Sequence, residues 1–244
     1  MKTRIATVCL SLFLITLSVN AQRWGGEKVK GNGNIVTEDR KTGTYDEIKI
    51  AGSFDVDLVS GTEGNITINA EENLIKHIKT EIKGNALKIY VEEGYNLQPS
   101  GNHKMLLTVP FNDISEVSLA GSGDVVTKNG IKADNFKASV AGSGDMNLEV
   151  NAATIKGSLA GSGDISLRGS TTDFECNIAG SGDIHAFDLK AENVEASISG
   201  SGDAEVHCNG NLKARIAGSG DIKYKGSPKK EDTKAVGSGS ISKG

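Results

Sequence analysis

Six aspartates at near-constant spacing are the residues of this sequence best placed to do chemistry. Asp124, Asp145, Asp164, Asp183, Asp203 and Asp221 each end a Gly-Ser-Gly-Asp tetrapeptide, and a seventh copy, from Gly237, ends in Ser240. If the copies stack, their carboxylates form a ladder of like charges about 5 Å apart. Such a row attracts a cation such as Ca²⁺ unless local N–H groups satisfy each carboxylate. The competing role is architectural. Glycine reaches positive φ at a sharp corner, and Asp and Ser side chains accept hydrogen bonds from the N–H groups of the turn they occupy. The architectural role is the favoured one, because the glycine-and-aspartate nonapeptide of calcium-binding β-rolls has half this period and a different Asp position.

The remaining reactive side chains form no catalytic set. His185 and His207 fall on outward positions of adjacent repeats, with no third ligand at a fixed spacing, and His77 and His103 lie outside the repeats. The many serines belong to corners and not to a strand-to-helix nucleophile elbow. Carbohydrate-cleaving β-helix enzymes need long loops and aromatic platforms, whereas these repeats have short links and the chain is 5% aromatic. One outward row, Val126, Asn147, Ser166, His185, Glu205 and Lys223, is chemically mixed and offers neither a regular lattice nor an active site. No enzyme activity, catalytic residue or cofactor is assigned, and Ca²⁺ on the aspartate ladder is the one metal considered.

The tetrapeptides must be positioned by a stacked-repeat fold. Their first glycines are 21, 19, 19, 20, 18 and 19 residues apart, a period typical of solenoids. Two residues before each first glycine stand Leu119, Val140, Leu159, Ile178, Ile198 and Ile216; four before stand Val117, Ala138, Gly157, Cys176, Ala196 and Ala214. Charged residues, Ser, Asn and Arg alternate with them, so one face of each strand turns inward. After the motif the alternation resumes with Val125, Met146, Ile165, Ile184, Ala204 and Ile222. Each repeat therefore contributes two short strands bent at the tetrapeptide, followed by a polar link that absorbs length variation. Coils of this kind satisfy their strands by parallel pairing with the next coil at ~4.8 Å. The expected fold is all-β, a right-handed parallel β-helix of about 19-residue coils with an N-terminal β-rich capping segment. Cys176 and Cys208 fall on different walls of that coil and are expected as buried free thiols.

Outside the repeats, residues 1–21 have the form of a secretory signal peptide: Lys2 and Arg4, an apolar run from Ile5 to Val19, and small residues at the cleavage site before Gln22. Residues 22–44 form an N-terminal extension in which Gly31-Asn32-Gly33-Asn34-Ile35 is a loose relative of the repeat. Residues 45–110 form a β-rich part, and residues 111–244 the repeat β-helix. Within 45–110, Ala51-Gly52-Ser53-Phe54-Asp55 echoes the motif, and Glu71 to Ile82 fits either a short helix or a strand that turns at Gly84-Asn85. Residues 94–104 are expected as a loop, and Pro110 is expected to stop the strand that begins at Met105.

Without Lys2 and Arg4 the chain has 25 basic against 31 acidic residues. With no Lys/Arg stripe, that balance argues against nucleic acid and anionic membrane surfaces as partners. The runs Tyr45 to Gly52, Asp55 to Leu58, Leu87 to Ile89, Val109-Pro110 and Leu119 to Val125 together resemble the exported Bacteroidetes family of auto-transporter adhesin head GIN domains. The resemblance spans about Tyr45 to Ile222 and implies a right-handed β-helix and an adhesin role, with no catalytic residues to carry over. Auto-transporters carry a translocating barrel or anchor, and the polar stretch from Ser227 to Lys234 and the half coil ending at Gly244 provide neither, so attachment is expected through a partner. The expected function is a non-enzymatic binding protein at the cell surface, with a rigid ladder meeting a glycan or protein. The alternative is a periplasmic or envelope structural protein that self-associates through its β-helix ends as a homo-oligomer.

Overall fold

The computed structural model describes residues 26–244, so the signal-peptide reading of residues 1–21 lies outside the described residues. The chain is almost entirely β and winds into a β-solenoid of about seven turns. Its first half contains β1 (Glu27–Lys30), β2 (Ile35–Lys41), β3 (Glu47–Gly52), β4 (Asp55–Ser60) and β5 (Asn65–Glu71). A single helical turn, α1 (Glu72–Ile75), precedes β6 (Ile78–Lys83), β7 (Ala86–Val91), β8 (Tyr95–Gln98) and β9 (Leu106–Phe111). The repeats supply β10 (Glu116–Gly121), β11 (Val125–Thr127), β12 (Ile131–Gly142), β13 (Met146–Gly161), β14 (Ile165–Gly180) and β15 (Ile184–Gly200). They end with β16 (Ala204–Cys208), β17 (Asn211–Gly218), β18 (Ile222–Gly226), β19 (Lys230–Gly237) and β20 (Ile241–Lys243). Matching strands of successive coils pair in parallel, and each first glycine of the motif aligns with the one in the next coil, as Gly142 with Gly161 and Gly161 with Gly180.

The corner explains the motif. Gly161 has φ +136°, and a Cβ on it would lie 2.1 Å from the carbonyl oxygen of Gly142 in the preceding coil; a Cβ on Gly163 would lie 2.0 Å from the carbonyl oxygen of Gly144. Both glycines are thus demanded by the closeness of the coils as well as by the turn. In return, the Gly142 carbonyl accepts two N–H groups from the next corner, Ser162 at 2.8 Å and Gly163 at 3.2 Å. Ile165 N donates the other way, to Asp183 O at 2.9 Å. The same bonds recur from corner to corner, so groups that a sharp bend would orphan find partners in neighbouring coils.

The expected inward columns form the core. Leu119, Val140, Leu159, Ile178, Ile198 and Ile216 are buried, as are Val125, Met146, Ile165, Ile184, Ala204 and Ile222. Cys176 and Cys208 are buried and free. Cys176 is in register with Gly157 and Ala196, whereas Cys208 pairs with Ala191 and Gly226 in another column. Burial pushes the Cys176 thiol up to about 12 and also raises that of Cys208, so both stay protonated and behave as small apolar residues.

The links differ from expectation. Pairing does not stop at them: β13, β14 and β15 run unbroken from one motif to the next. Ile131, Val150 and Leu189 point inward there and are buried, building a further wall of the coil. Composition hides this wall because its outward residues include Asn151, Ser170 and Thr172, which resemble loop residues. Length differences are absorbed by register shifts, one opposite Ser166 to Arg168 and one between Ala186 and Lys190.

The N-terminal half extends the solenoid and closes it. β3 and β4 pair with β10 and β11, so Gly52 to Asp55 is a true corner. Phe54 replaces the second glycine, with its side chain fully buried; beneath it the chain runs from β7 to β9 through β8 and makes no such corner, leaving room for a ring. β7 and β9 stack on β3 and β4, although they follow them in sequence. Antiparallel β6 then covers β7, antiparallel β5 covers β9, and β2 pairs with β5. The ladder edge at this end is capped by the change of strand direction.

Four local expectations are corrected here. The segment Glu71 to Ile82 divides into the one-turn α1 and the strand β6, because Leu74, Ile75 and Ile78 are buried only with the chain turning between them; the Arg40 guanidinium accommodates the break by donating to the carbonyls of Ile75 and Ile78. Residues 94–104 are not all loop, since β8 pairs in parallel with β1. Pro110 does not stop β9, which continues to Phe111. Proline is tolerated there because β5 pairs only as far as Thr108, so its missing N–H breaks no ladder bond on that side. Gly31 to Ile35 makes no coil corner but wraps the buried Glu71 carboxylate, which accepts Gly33 N at 2.6 Å, Ser100 N at 2.8 Å and Ser100 Oγ at 2.6 Å.

Two measurements check these assignments. Gly163→Ala should lower stability by roughly 2–4 kcal/mol, because the new Cβ meets backbone. Gly157→Ala, whose Cβ would find only side chains at 3.6–3.7 Å, should be neutral or stabilising by about 0.5–1 kcal/mol in the same denaturant titration. For Glu71, burial raises the carboxyl pKa, but the Ser100 hydroxyl, the Ser100 N–H and the Gly33 N–H together outweigh it and hold it below the usual range. The resulting stabilisation is complete above the unfolded carboxylate pKa and is lost as pH falls through the lowered folded value. Glu71→Gln should therefore destabilise the cap at neutral pH, with the difference from wild type shrinking in acid, as followed by hydrogen exchange of β2 and β5.

Candidate binding faces

The sequence-assigned aspartates do form a column at the corners, and Asp55 extends it by one coil. From Asp145 to Asp221 each carboxylate accepts a hydrogen bond from the neighbouring coil and not from its own turn. Asp145 Oδ1 accepts Asp164 N at 2.9 Å, Asp164 Oδ1 accepts Asp183 N at 2.9 Å, and Asp183 Oδ1 accepts Asp203 N at 2.7 Å. Asp203 and Asp221 continue the series to Asp221 N and Ser240 N, each at 2.7 Å. The Ser240 N–H and hydroxyl hold the Asp221 carboxyl below its usual range. At the other end Lys104 Nζ lies 2.6 Å from Asp55 Oδ2 and 4.0 Å from Asp124 Oδ2, placing a cation of the protein itself on the ladder. Among the described residues, no group of three or more His, Cys, Asp or Glu side chains is arranged to hold a metal ion.

The two repeat histidines do not meet. His185 Nδ1 pairs with Glu205 Oε2 at 3.0 Å, and His207 Nδ1 lies 3.3 Å from the Phe187 carbonyl. Each is absorbed by its own neighbour.

A second face was not singled out from sequence. Just before the corners, the outward positions of the strands carry Ser118, Ser139, Ser158, Asn177 and Ser197 in one column and Ala51, Ala120, Ala141, Ala160, Ala179 and Ser199 in the next. The serine column stops at large residues at both ends, whereas the alanine column stops at Tyr90 at one end and continues through Ala217 at the other. Towards the N-terminal end the registers bring in Lys49, Lys88 and Tyr90, and after Ser197 the next coil brings Arg215. Small side chains bracketed by long ones leave a mostly apolar trough of about 1050 Å³ along the solenoid axis. Beside it runs a row of charges paired across coils: Lys137 with Glu116 at 3.1 Å, Lys156 with Glu175 and Lys213 with Glu195, each at 2.6 Å. Exposed pairs of this kind add little stability, but wrong neighbours would juxtapose like charges, so they favour the native register.

The comparisons with known proteins bear on these faces. The family model described as "Putative auto-transporter adhesin, head GIN domain" matches residues 44–228. The chain belongs to this adhesin head family. The head domain is similar to a crystal structure of a putative adhesin from Bacteroides fragilis, with 26% identity over 88% of this chain and 99% of that one and a TM-score of 0.83. It is also similar to a putative lipid binding protein from Parabacteroides distasonis, with 30% identity over 89% of this chain and 100% of that one and a TM-score of 0.74. A putative adhesin from Parabacteroides merdae, 24% identical over 90% of this chain and 100% of that one at a TM-score of 0.69, shares the fold. No curated protein matches the chain. No helix among the described residues of the head domain is long and apolar enough to cross a membrane.

The aspartate bonding predicts a structural ladder. Asp164→Ala, which orphans the Asp183 N–H, should cost about 1–2 kcal/mol, and Asp164→Asn, which keeps an acceptor, clearly less. Chelator or added Ca²⁺ should leave the wild-type melting temperature unchanged, whereas a ladder that held the ion would be stabilised by mass action.

Proposed function

We propose that this head domain is an exported, non-enzymatic binding protein that acts as an adhesin at the cell surface and contacts a glycan or protein. The observation that supports the reading most directly is the repetition of outward groups on a rigid axis. Aspartate corners, serine and alanine columns and paired charges recur at every coil, so weak contacts to a repetitive partner add by avidity. Membership of an adhesin head family supports the same role.

A second reading, binding of an apolar ligand, is favoured by the trough and by the name of the 30% identical Parabacteroides distasonis relative. Self-association through the coil ends has less support. β19 is exposed throughout, and it places Glu231 in the column of Leu212, beside Lys230, Asp232 and Lys234; edge charges of this kind resist strand addition.

Protease treatment of intact cells, followed with an antibody to the repeat region, tests the location. Loss of the protein from intact cells and reduced attachment of a deletion strain to host glycoprotein surfaces are expected. Full protection in intact cells with digestion after lysis would place it in the periplasm and end the adhesin reading.

A further inference from the structure

We propose that the trough binds a single-chain anionic amphiphile of the fatty-acid class, with its polymethylene chain along the alanine and serine columns and its carboxylate at Lys88. This inference rests on the apolar-ligand reading above and names its ligand and orientation.

Shape limits the occupant first. The trough crosses seven strands, from β7 to β15, which at ~4.8 Å per strand makes it roughly 29 Å long. Its floor is two outward columns two residues apart, or about 7 Å wide. That is too narrow for a helix, whose diameter with side chains is about 10–12 Å. An extended peptide also fits poorly. The floor strands use their N–H and C=O groups to pair with one another, so a peptide laid across them would leave its own groups unpaired against carbon, which is costly. A polymethylene chain has no such groups, and every CH₂ it buries is favourable.

The floor is suited to carbon. Ser118 Oγ turns sideways and donates to Glu116 Oε1 at 2.6 Å, and Asn177 Nδ2 donates to Glu175 Oε1 at 2.7 Å. Ser139 Oγ lines the same trough, exposes less than 1 Å² and has no hydrogen-bond partner among the described residues. Covering Ser118, Ser139 and Asn177 with an alkyl chain breaks none of these hydrogen bonds and displaces water from the neighbouring alanine Cβ atoms.

The ends decide the head group and the direction. Three charged side chains line the trough: Lys49, Lys88 and Glu81. Lys49 is committed to Glu47 at 2.5 Å. Lys88 stands opposite Glu81 in the β6–β7 register, yet makes no ion pair within 4.0 Å among the described residues, so its ammonium is free to take a carboxylate. At the far end Arg215 is held by Asp232, with Nη2 to Oδ2 at 2.5 Å, and ends the serine column without offering a free charge.

The test is equilibrium dialysis of the purified protein against labelled palmitate below its aggregation concentration, beside hexadecanol as the uncharged probe. Saturable palmitate binding is expected. Lys88→Gln should weaken it about tenfold, the value of one charge-assisted contact, and bring palmitate level with hexadecanol. Glu81→Gln, which removes the repelling carboxylate, should tighten it. Ala160→Trp, which fills the trough at mid-length on an exposed position, should abolish binding of both probes, while Ser166→Trp on another outward column should not. Circular dichroism melts of each variant confirm that it is folded. Failure of wild type to bind either probe would overturn the apolar-ligand reading and this inference together. Equal binding of both probes, insensitive to Lys88→Gln, would overturn the inference alone. Binding lost equally in Ala160→Trp and Ser166→Trp would place the ligand elsewhere and overturn both.

Discussion

The whole structure depends on how closely one corner can sit on the next. A chain that reverses within four residues leaves backbone groups with no partner inside its own turn, and at the wall of a packed core water does not replace them all. Here the missing partners come from the adjacent coil: the Gly142 carbonyl takes Ser162 and Gly163, and the Asp164 carboxylate takes Asp183 N. That exchange works only if the corners approach until a Cβ would strike a carbonyl oxygen, which is why two glycines stand at each repeat corner from Gly121 onward. Each of these corners therefore draws stability from the corner it stacks on. The motif repeats because its hydrogen bonds are made between copies, and stability is shared along the stack in the manner of other repeat proteins.

This constraint also accounts for what the amino-acid pattern disclosed and what it concealed. Columns such as Leu119 to Ile216 and Val125 to Ile222 could be aligned by counting from the motif, because the glycines fix the register and the period of two does the rest. The link wall was opaque. Ile131, Val150 and Leu189 stand among Asn, Ser, Thr and Gly, and only the stacked neighbours keep those residues in strands. The N-terminal half was opaque for a topological reason. β7 and β9 follow β3 and β4 in sequence but lie beyond them in the stack, so their contacts obey no linear period, and Phe54 disguises the one corner that would have revealed the register. Glu71, the carboxylate that ties the cap together, carries no local signal at all, since its partners Gly33 and Ser100 are 38 and 29 residues away.

The two candidate faces divide along the same line. Asp124 to Asp221 could be placed in one column by counting, but a carboxylate's partner depends on the distance to the next coil, so the hydrogen bonds from Asp145 to Asp221 were not legible in it. The trough posed the opposite problem. Serine and alanine at outward positions look like an ordinary solvated face, and nothing in Ser158 or Ala160 suggests a ligand. They become a floor only beside Lys88, Tyr90 and Arg215, and those residues join the columns through pairings of β7 with β3 and of β17 with β15.

The ends of the solenoid differ from its side walls. At one end antiparallel β5 and β6 cover the last parallel strands, and the Arg40 and Glu71 side chains fasten the segments around them. At the other, the coil containing β19 keeps the corner geometry, with Gly237 stacked on Gly218, and the column after the corner continues with Ile241 on Ile222, but the column before it weakens: Glu231 succeeds Leu212, Thr233 succeeds Ala214 and Ala235 succeeds Ile216. A further coil added there would find a charged side chain where its own core column should continue. The side walls, by contrast, repeat the same groups from coil to coil. A solenoid built in this way presents long lateral surfaces of fixed spacing, and a ligand long enough to follow the axis can use them in full.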